Sequence, residues 1–241
     1  MGHTKCEYNW QNTGRQVFYD GSTFETLMNS YPVQYVEDFA GNTAILSDGT
    51  TIWTALDVGA NGTTAQVADQ HQWLLHLTAD SEAQDQGIYH GDNRTFDVGA
   101  GLIFEARVDM AVAPGTGVRA VFGMCGDHAL DKDAITESAW FSFDASMVGD
   151  AETDDTTNDT SAATGNTAVA GTYDIYRIDF TTLADVKFFI NGVRVAASTT
   201  FDMSNLSASE QQMQPYFMID KPSGTSLGDV NIDYVKIFSN R

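Results

Sequence analysis

Cysteine is almost missing from this chain: Cys6 and Cys125 are the only two in 241 residues. Neither belongs to a Cys-x-x-Cys pair, and no histidine lies at ligand spacing from either. That excludes a structural zinc site, which needs about four ligands. Two reduced thiols are the reading, with a single long-range disulfide as the alternative. Positive charge is also scarce. Twelve basic residues stand against 33 acidic ones, a net charge of −21, and a field of that sign repels phosphate backbones and anionic membranes. Direct nucleic-acid binding and membrane binding are therefore not expected. No window approaches the roughly 18 apolar residues of a membrane span. The opening Met-Gly-His-Thr-Lys-Cys has neither the apolar stretch of a secretory signal nor the serine or threonine of a myristoylation signal, so neither is expected.

What is present is alternation. Tyr176, Ile178 and Phe180 share one face of an extended strand, Val186, Phe188 and Ile190 one face of the next, and Val193 and Val195 that of a third. Asn191-Gly192 joins the last two runs, and a type I′ turn wants positive φ at both of its central residues. In Leu102–Met110, the residues Leu102, Phe104, Ala106, Val108 and Met110 alternate with Ile103, Glu105, Arg107 and Asp109, a period of two. Further strand candidates are 33–39, 73–78, 87–90, 118–125, 140–144, 214–219 and 230–238. Ser204–Gln212 carries the one helical hint. Many strands separated by turns predict an all-β sandwich or barrel.

Two segments stand apart. Residues 1–32 are polar with scattered aromatics and read as an N-terminal arm or accessory strand, leaving 33–241 as the sandwich. Residues 149–167 are rich in Asp, Thr, Ala and Gly, lack an apolar anchor, and are expected to form a long exposed loop or hairpin tip.

The order of elements resembles the concanavalin A-like lectin/glucanase superfamily. The resemblance rests on Tyr35-Val-Glu-Asp-Phe39 followed by Trp53, on Phe104-Glu-Ala-Arg-Val108, on Tyr176-Arg-Ile-Asp-Phe180 with Val186–Val195, and on Ile232-Asp-Tyr-Val-Lys-Ile237. It implies a jelly-roll sandwich of two large antiparallel sheets, one of them concave. The start, with Asn9-Trp10, Thr13-Gly14-Arg15 and Phe18-Tyr19-Asp20, and the strand Gly101–Arg107 resemble jelly-roll proteins encoded among tailed-phage structural genes. That second resemblance implies a virion component, a capsid decoration or auxiliary head protein.

Enzymatic chemistry finds little support in the residues. A laminarinase-type glycosidase carries Glu-x-Asp-x-x-Glu along one strand face, because retaining hydrolysis needs two carboxyls about 5 Å apart. The nearest run, Glu137–Asp144, puts its two acids on opposite faces. Glu105 and Asp109 share a face, but Arg107 sits between them, which reads as a cross-neutralised exposed ladder. There is no Gly-x-Ser-x-Gly elbow, P-loop or dinucleotide fingerprint. No catalytic residue is assigned.

Three binding chemistries remain. Sugar sites need aromatic platforms beside polar groups. Trp53, Trp73, Trp140, Tyr89 and Asn93 offer them, although burial in a large core is the favoured use of the tryptophans. The loop His90–Arg94 adds Asp92 to the sugar candidates Tyr89, Asn93 and Trp140. Calcium is an alternative to no cofactor at all: Asp150, Glu152, Asp154, Asp155 and Asp159 are oxygen donors, but they lack EF-hand spacing. Finally Trp10, Arg15, Phe18, Tyr19 and Phe24 suit an arm that docks on a partner; an additional strand of the same sandwich is the competing reading. Together with what the phage resemblance implies, the expectation is a non-enzymatic virion structural protein, a capsid decoration or auxiliary head protein that attaches to and stabilises the capsid. Its expected partners are the major capsid protein or other virion proteins, with a homo-oligomer open. A lectin-like module for host or mucus glycans is the alternative, and a divergent glycosidase the second.

Overall fold

A computed structural model describes residues 6–10, 16–20, 23, 33–40, 52–67 and 70–240; of the side chains in 6–10 and 16–20 nothing is described. The strands in chain order begin with β1 (Cys6–Trp10), β2 (Gln16–Asp20), β3 (Val33–Glu37), β4 (Thr54–Val58), β5 (Thr63–Val67) and β6 (Gln72–Leu77). Next come β7 (Gln84–Tyr89), β8 (Phe96–Asp97), β9 (Ile103–Val112), β10 (Arg119–Cys125), β11 (Glu137–Phe143) and β12 (Val148–Asp155). The last six are β13 (Asp159–Thr167), β14 (Asp174–Asp179), β15 (Lys187–Ile190), β16 (Val193–Val195), β17 (Gln212–Lys221) and β18 (Gly228–Ser239). Among the described residues, no helix is long and apolar enough to cross a membrane.

The large strands make two eight-stranded sheets. Sheet I runs β13-β12-β11-β10-β17-β7-β4 with β8 on β17; sheet II runs β16-β15-β14-β9-β18-β6-β5 with β3 on β18. Every ladder is antiparallel, so the architecture is an all-β jelly-roll sandwich. β1 and β2 pair with each other and, among the described residues, with neither large sheet.

Period-two alternation drives the inner faces together. Phe122, Phe141 and Phe217 of sheet I meet Phe104, Tyr176 and Phe188 of sheet II in one continuous core. Edge-to-face rings hold the two layers in contact, with Phe122–Tyr176 at 4.7 Å and Phe141–Phe188 at 5.2 Å between centroids. Such aromatic pairs add about 0.5–1.5 kcal/mol each beyond the area they bury.

The 173–197 segment folds as its pattern requires. Asn191 and Gly192 have φ of 50° and 76°, the two positive values of a type I′ turn. Asn191 also accepts from the Ile175 amide and donates to Asp174. Val193 does not face the core as expected: it is 65% exposed, because it follows the turn on the short edge strand β16.

Three other expectations need correction. Glu105 and Asp109 are buried, at 1% and 4% exposure, and do not form an exposed ladder. Glu105 lies directly between Arg177 of β14 and Lys236 of β18, so the opposite charges run across three strands as well as along β9. The acidic 149–167 stretch is neither loop nor tip alone; it is the strand pair β12–β13 at the edge of sheet I, turning at 156–158. Alternate small residues, Gly149, Ala151 and Thr153, are buried, which supplies the anchor that larger apolar residues usually give. Ser204–Gln212 makes turns closed by bonds from Glu210 and Gln211 to Ser207, without a helix.

Candidate functional site

The outer face of sheet I carries the polar and aromatic residues that the core leaves over. One row runs straight across it: Ser161, Glu152, Trp140, Gly123, Tyr216, Tyr89 and Thr54 are successive cross-strand partners. The rings along this row stand close, with Trp140–Tyr216 at 6.1 Å and Tyr216–Tyr89 at 6.4 Å. Gly123 between them leaves no room for a side chain, since a Cβ there would lie 2.6 Å from the Trp140 Cα. Leu56, Val121, Cys125 and Met218 complete an apolar patch on the same face.

A strap, residues 126–136, crosses this patch. Ile135 and Ala129 pack onto it, and His128 stacks on Tyr89 at 4.5 Å. The strap is pinned along its length. Asp127 meets Arg94 at 3.1 Å, the His128 amide donates to Asp92 at 2.7 Å, Lys132 meets Asp220 at 2.8 Å, and Asp133 meets Arg119 at 3.0 Å. The sheet face is thus largely filled by the chain's own loop.

Beyond the strap, toward β12 and β13, a half-open cleft of about 430 Å³ remains, walled by Lys132, Asp133 and Ile135 on one side and by Trp140, Glu152 and Asp159 on the other. At its base Arg119 donates to both oxygens of Glu152, at 2.7 and 2.6 Å, and through Nε to Ser142 at 2.7 Å. Trp140 Nε1 donates to Glu152 at 2.7 Å. Glu152 is therefore a fixed structural acceptor whose oxygens are both already engaged. Asp85 and Asp220 stand directly opposite each other near the strap. Burial raises the Asp85 pKa, the Asp220 charge adds to the rise, and Lys132 opposes it.

The structure gathers part of the predicted sugar set. Trp140 lines the cleft, and Tyr89 lies further along the same row. Asp92, at positive φ, is engaged by the His128 amide and by Gln214 Nε2 at 2.9 Å. Asn93 is exposed and bends back to the His90 carbonyl. Asp92 and Asn93 shape the turn outside the cleft lining. Trp53 and Trp73 are core residues. Of the arm residues, Trp10, Phe18 and Tyr19 fall in β1 and β2, whose side chains are not described; Arg15 and Phe24 lie outside the described residues. Sequence reasoning missed Arg119, Lys132 and Glu152 as neighbours, because their meeting depends on register and on the strap.

The five candidate calcium acids do not gather into one site, although Asp159 stands directly opposite Asp154. Strand alternation sends Asp150, Glu152 and Asp154 to one face and Asp155 to the other, where backbone amides of Thr157, Asn158 and Asn205 occupy it. Among the described residues no group of three His, Cys, Asp or Glu could hold a metal ion. Glu137 opens β11, whose outer side carries Ser138, Trp140 and Ser142, while Asp144 lies just beyond the strand's end, so the two acids share no strand face. Cys125 is a free, buried thiol whose pKa is pushed up by burial.

No protein-family profile and no curated protein matches this sequence. Solved structures do. A GlcNAcα1-4Gal-releasing endo-β-galactosidase from Clostridium perfringens aligns with TM-score 0.60 and 15% identity, over 88% of this chain and 64% of that one. The carbohydrate recognition domain of Emp47p aligns with TM-score 0.56 and 9% identity, over 86% and 96%. The Bacillus licheniformis β-glucanase aligns with TM-score 0.53 and 15% identity, over 86% and 98%.

The fold is the concanavalin A-like jelly roll.

Within that jelly roll the identities are low enough that the likeness concerns the fold alone. What the cleft does must come from its own residues.

Proposed function

We propose that this chain is a non-enzymatic structural protein of a tailed-phage virion, displayed on the capsid as a decoration or auxiliary head protein, and that the cleft beside Trp140 holds a glycan. The observation that carries the binding half is the state of Glu152. It sits on a half-open sheet face next to an indole, yet both its oxygens are bound by Arg119 and one also by Trp140. A carboxylate fixed in this way orients a binding surface; a general acid or nucleophile needs a free oxygen at the reacting bond. The jelly-roll neighbours include a carbohydrate recognition domain, which supports a glycan as the partner.

The virion half rests on the resemblance of Asn9–Asp20 and Gly101–Arg107 to phage structural jelly rolls. In this reading the arm residues Trp10, Arg15, Phe18, Tyr19 and Phe24 anchor the chain to a capsid or other virion protein, and the sandwich projects the cleft outward. The net charge of −21 keeps many copies soluble and apart.

Each half has its own test. Mass spectrometry of purified particles should find the chain, and deletion of residues 1–30 should release it without unfolding the sandwich; particles lacking the chain would refute the virion role. A glycan array should show binding that Trp140→Ala removes. Release of reducing sugar from β-glucans would restore the hydrolase reading instead.

A further inference from the structure

We propose that the cleft selects its glycan by charge: it accepts uncharged and ammonium-bearing sugars and rejects carboxylated ones. The inference rests on the glycan half of the function proposed above and specifies the ligand class for that site.

The argument comes from which charges in the cleft are already engaged. Two cations line it, and both are committed. Arg119 uses Nη2 on Glu152, Nη1 on Asp133 at 3.0 Å and Nε on Ser142. Lys132 is nine-tenths buried and holds Asp220 at 2.8 Å. Breaking the Arg119–Glu152 or Lys132–Asp220 pair for a sugar carboxylate costs far more than a surface contact returns, so a carboxylate could compete only for the exposed Nη1 contact with Asp133. The acids divide differently. Glu152 and Asp133 are neutralised by Arg119, whereas Asp154 and Asp159 stand directly opposite each other on β12 and β13, line the same cleft, and among the described residues have no ion-pair partner. Among the described residues Asp154 accepts from the Thr156 amide alone, through one oxygen. Like charges placed directly across a ladder are unfavourable, and a cation set between them would relieve that repulsion. A hexosamine combines the two features the cleft can satisfy, a ring to fill the space against the edge of the largely buried Trp140 and an ammonium to sit near Asp154 and Asp159. A uronic or sialic acid brings a third negative charge to the same wall.

Titration calorimetry on the full chain at mildly acid pH tests this with three probes: an N-acetylglucosamine dimer, the corresponding glucosamine dimer with free ammonium groups, and a galacturonic acid dimer. The glucosamine dimer should bind about 1.5- to 5-fold tighter than its acetylated form, the range expected of exposed ion pairs, and the uronate should bind weakest. The double variant Asp154→Asn/Asp159→Asn removes a repulsive pair, so it should fold, and it should bring the two glucosamine-type affinities together. Equal affinities for the amine and the acetamide in the wild-type protein, or uronate binding as tight as either, would overturn the charge selection while leaving the cleft a glycan site. If none of the three sugars binds and an array of neutral glycans is also negative, the underlying glycan reading fails with it.

Discussion

Trp140 and Glu152 stand directly opposite each other on neighbouring strands, and the indole Nε1 donates to the carboxylate at 2.7 Å. This one contact joins the aromatic row to the charged wall of the cleft, because the same carboxylate takes both bonds from the Arg119 Nη2 group. It also explains how a tryptophan can be 4% exposed on an outer sheet face without an orphaned N–H.

Removing Glu152 alone should therefore be costly. Glu152→Ala leaves a buried indole N–H and a partly buried guanidinium without their acceptor, a loss of about 1–3 kcal/mol. Replacing both ends, Arg119→Met with Glu152→Leu, should cost clearly less than the two single changes added together. Urea unfolding of the three variants measures this coupling, and simple additivity would show that the pair contributes nothing beyond its separate side chains.

His90 gives the protein a pH-dependent weakness. Its ring is fully buried among Trp53 at 4.4 Å, Tyr35 at 5.5 Å and Phe96 at 5.7 Å, and among the described residues neither ring nitrogen has a hydrogen-bond partner. Burial lowers its pKa from 6.5 to about 4. The unfolded chain then binds a proton that the folded chain refuses between those two values. Stability should fall as pH drops from 6.5 toward 4, by up to about 3 kcal/mol from this group alone, and the contribution should level off below. The difference between the wild type and His90→Leu, followed by thermal unfolding across that range, isolates it from the carboxylates. A constant difference would mean the ring is not held neutral.

Lys132 should decide whether the strap stays down. Its ammonium is the cation that offsets the facing pair Asp85 and Asp220. Lys132→Met leaves those acids uncompensated under the strap, at a cost of about 3 kcal/mol. Residues 127–134 should then exchange amide hydrogens faster and be cut sooner by protease, while the core ladder β9–β18 keeps its protection. Because the pair is largely buried, raising the salt should not reproduce the effect. Uniform loss of protection across both sheets would mean that Lys132 supports the whole sandwich and not the strap in particular.

Much of the sandwich is legible in the amino-acid order because strand alternation is a local property. Phe104, Ala106 and Val108 declare one face of β9 within five residues, and Asn191-Gly192 declares a turn within two. β12 and β13 escaped that reading because Gly149, Ala151 and Thr153 are too small to register as an apolar stripe, yet a sheet edge needs only small side chains on its inner side. Trp140 escaped it for the opposite reason. Alternation tells which residues share its face, but not whether that face meets the core or the solvent.

The sequence by itself determined most of the extended strands, which residues share a face within each, the I′ turn and the acidic surplus, since each follows from backbone sterics and residue type over a few positions. Only the tertiary structure decided that Glu152 faces Trp140, that Arg119 lies within reach of Glu152, Asp133 and Ser142 together, and that Lys132 comes down from a strap onto Asp220. Those meetings join residues tens of positions apart. They are set by strand register and by the path of one loop across a sheet, and no short stretch of chain encodes either one.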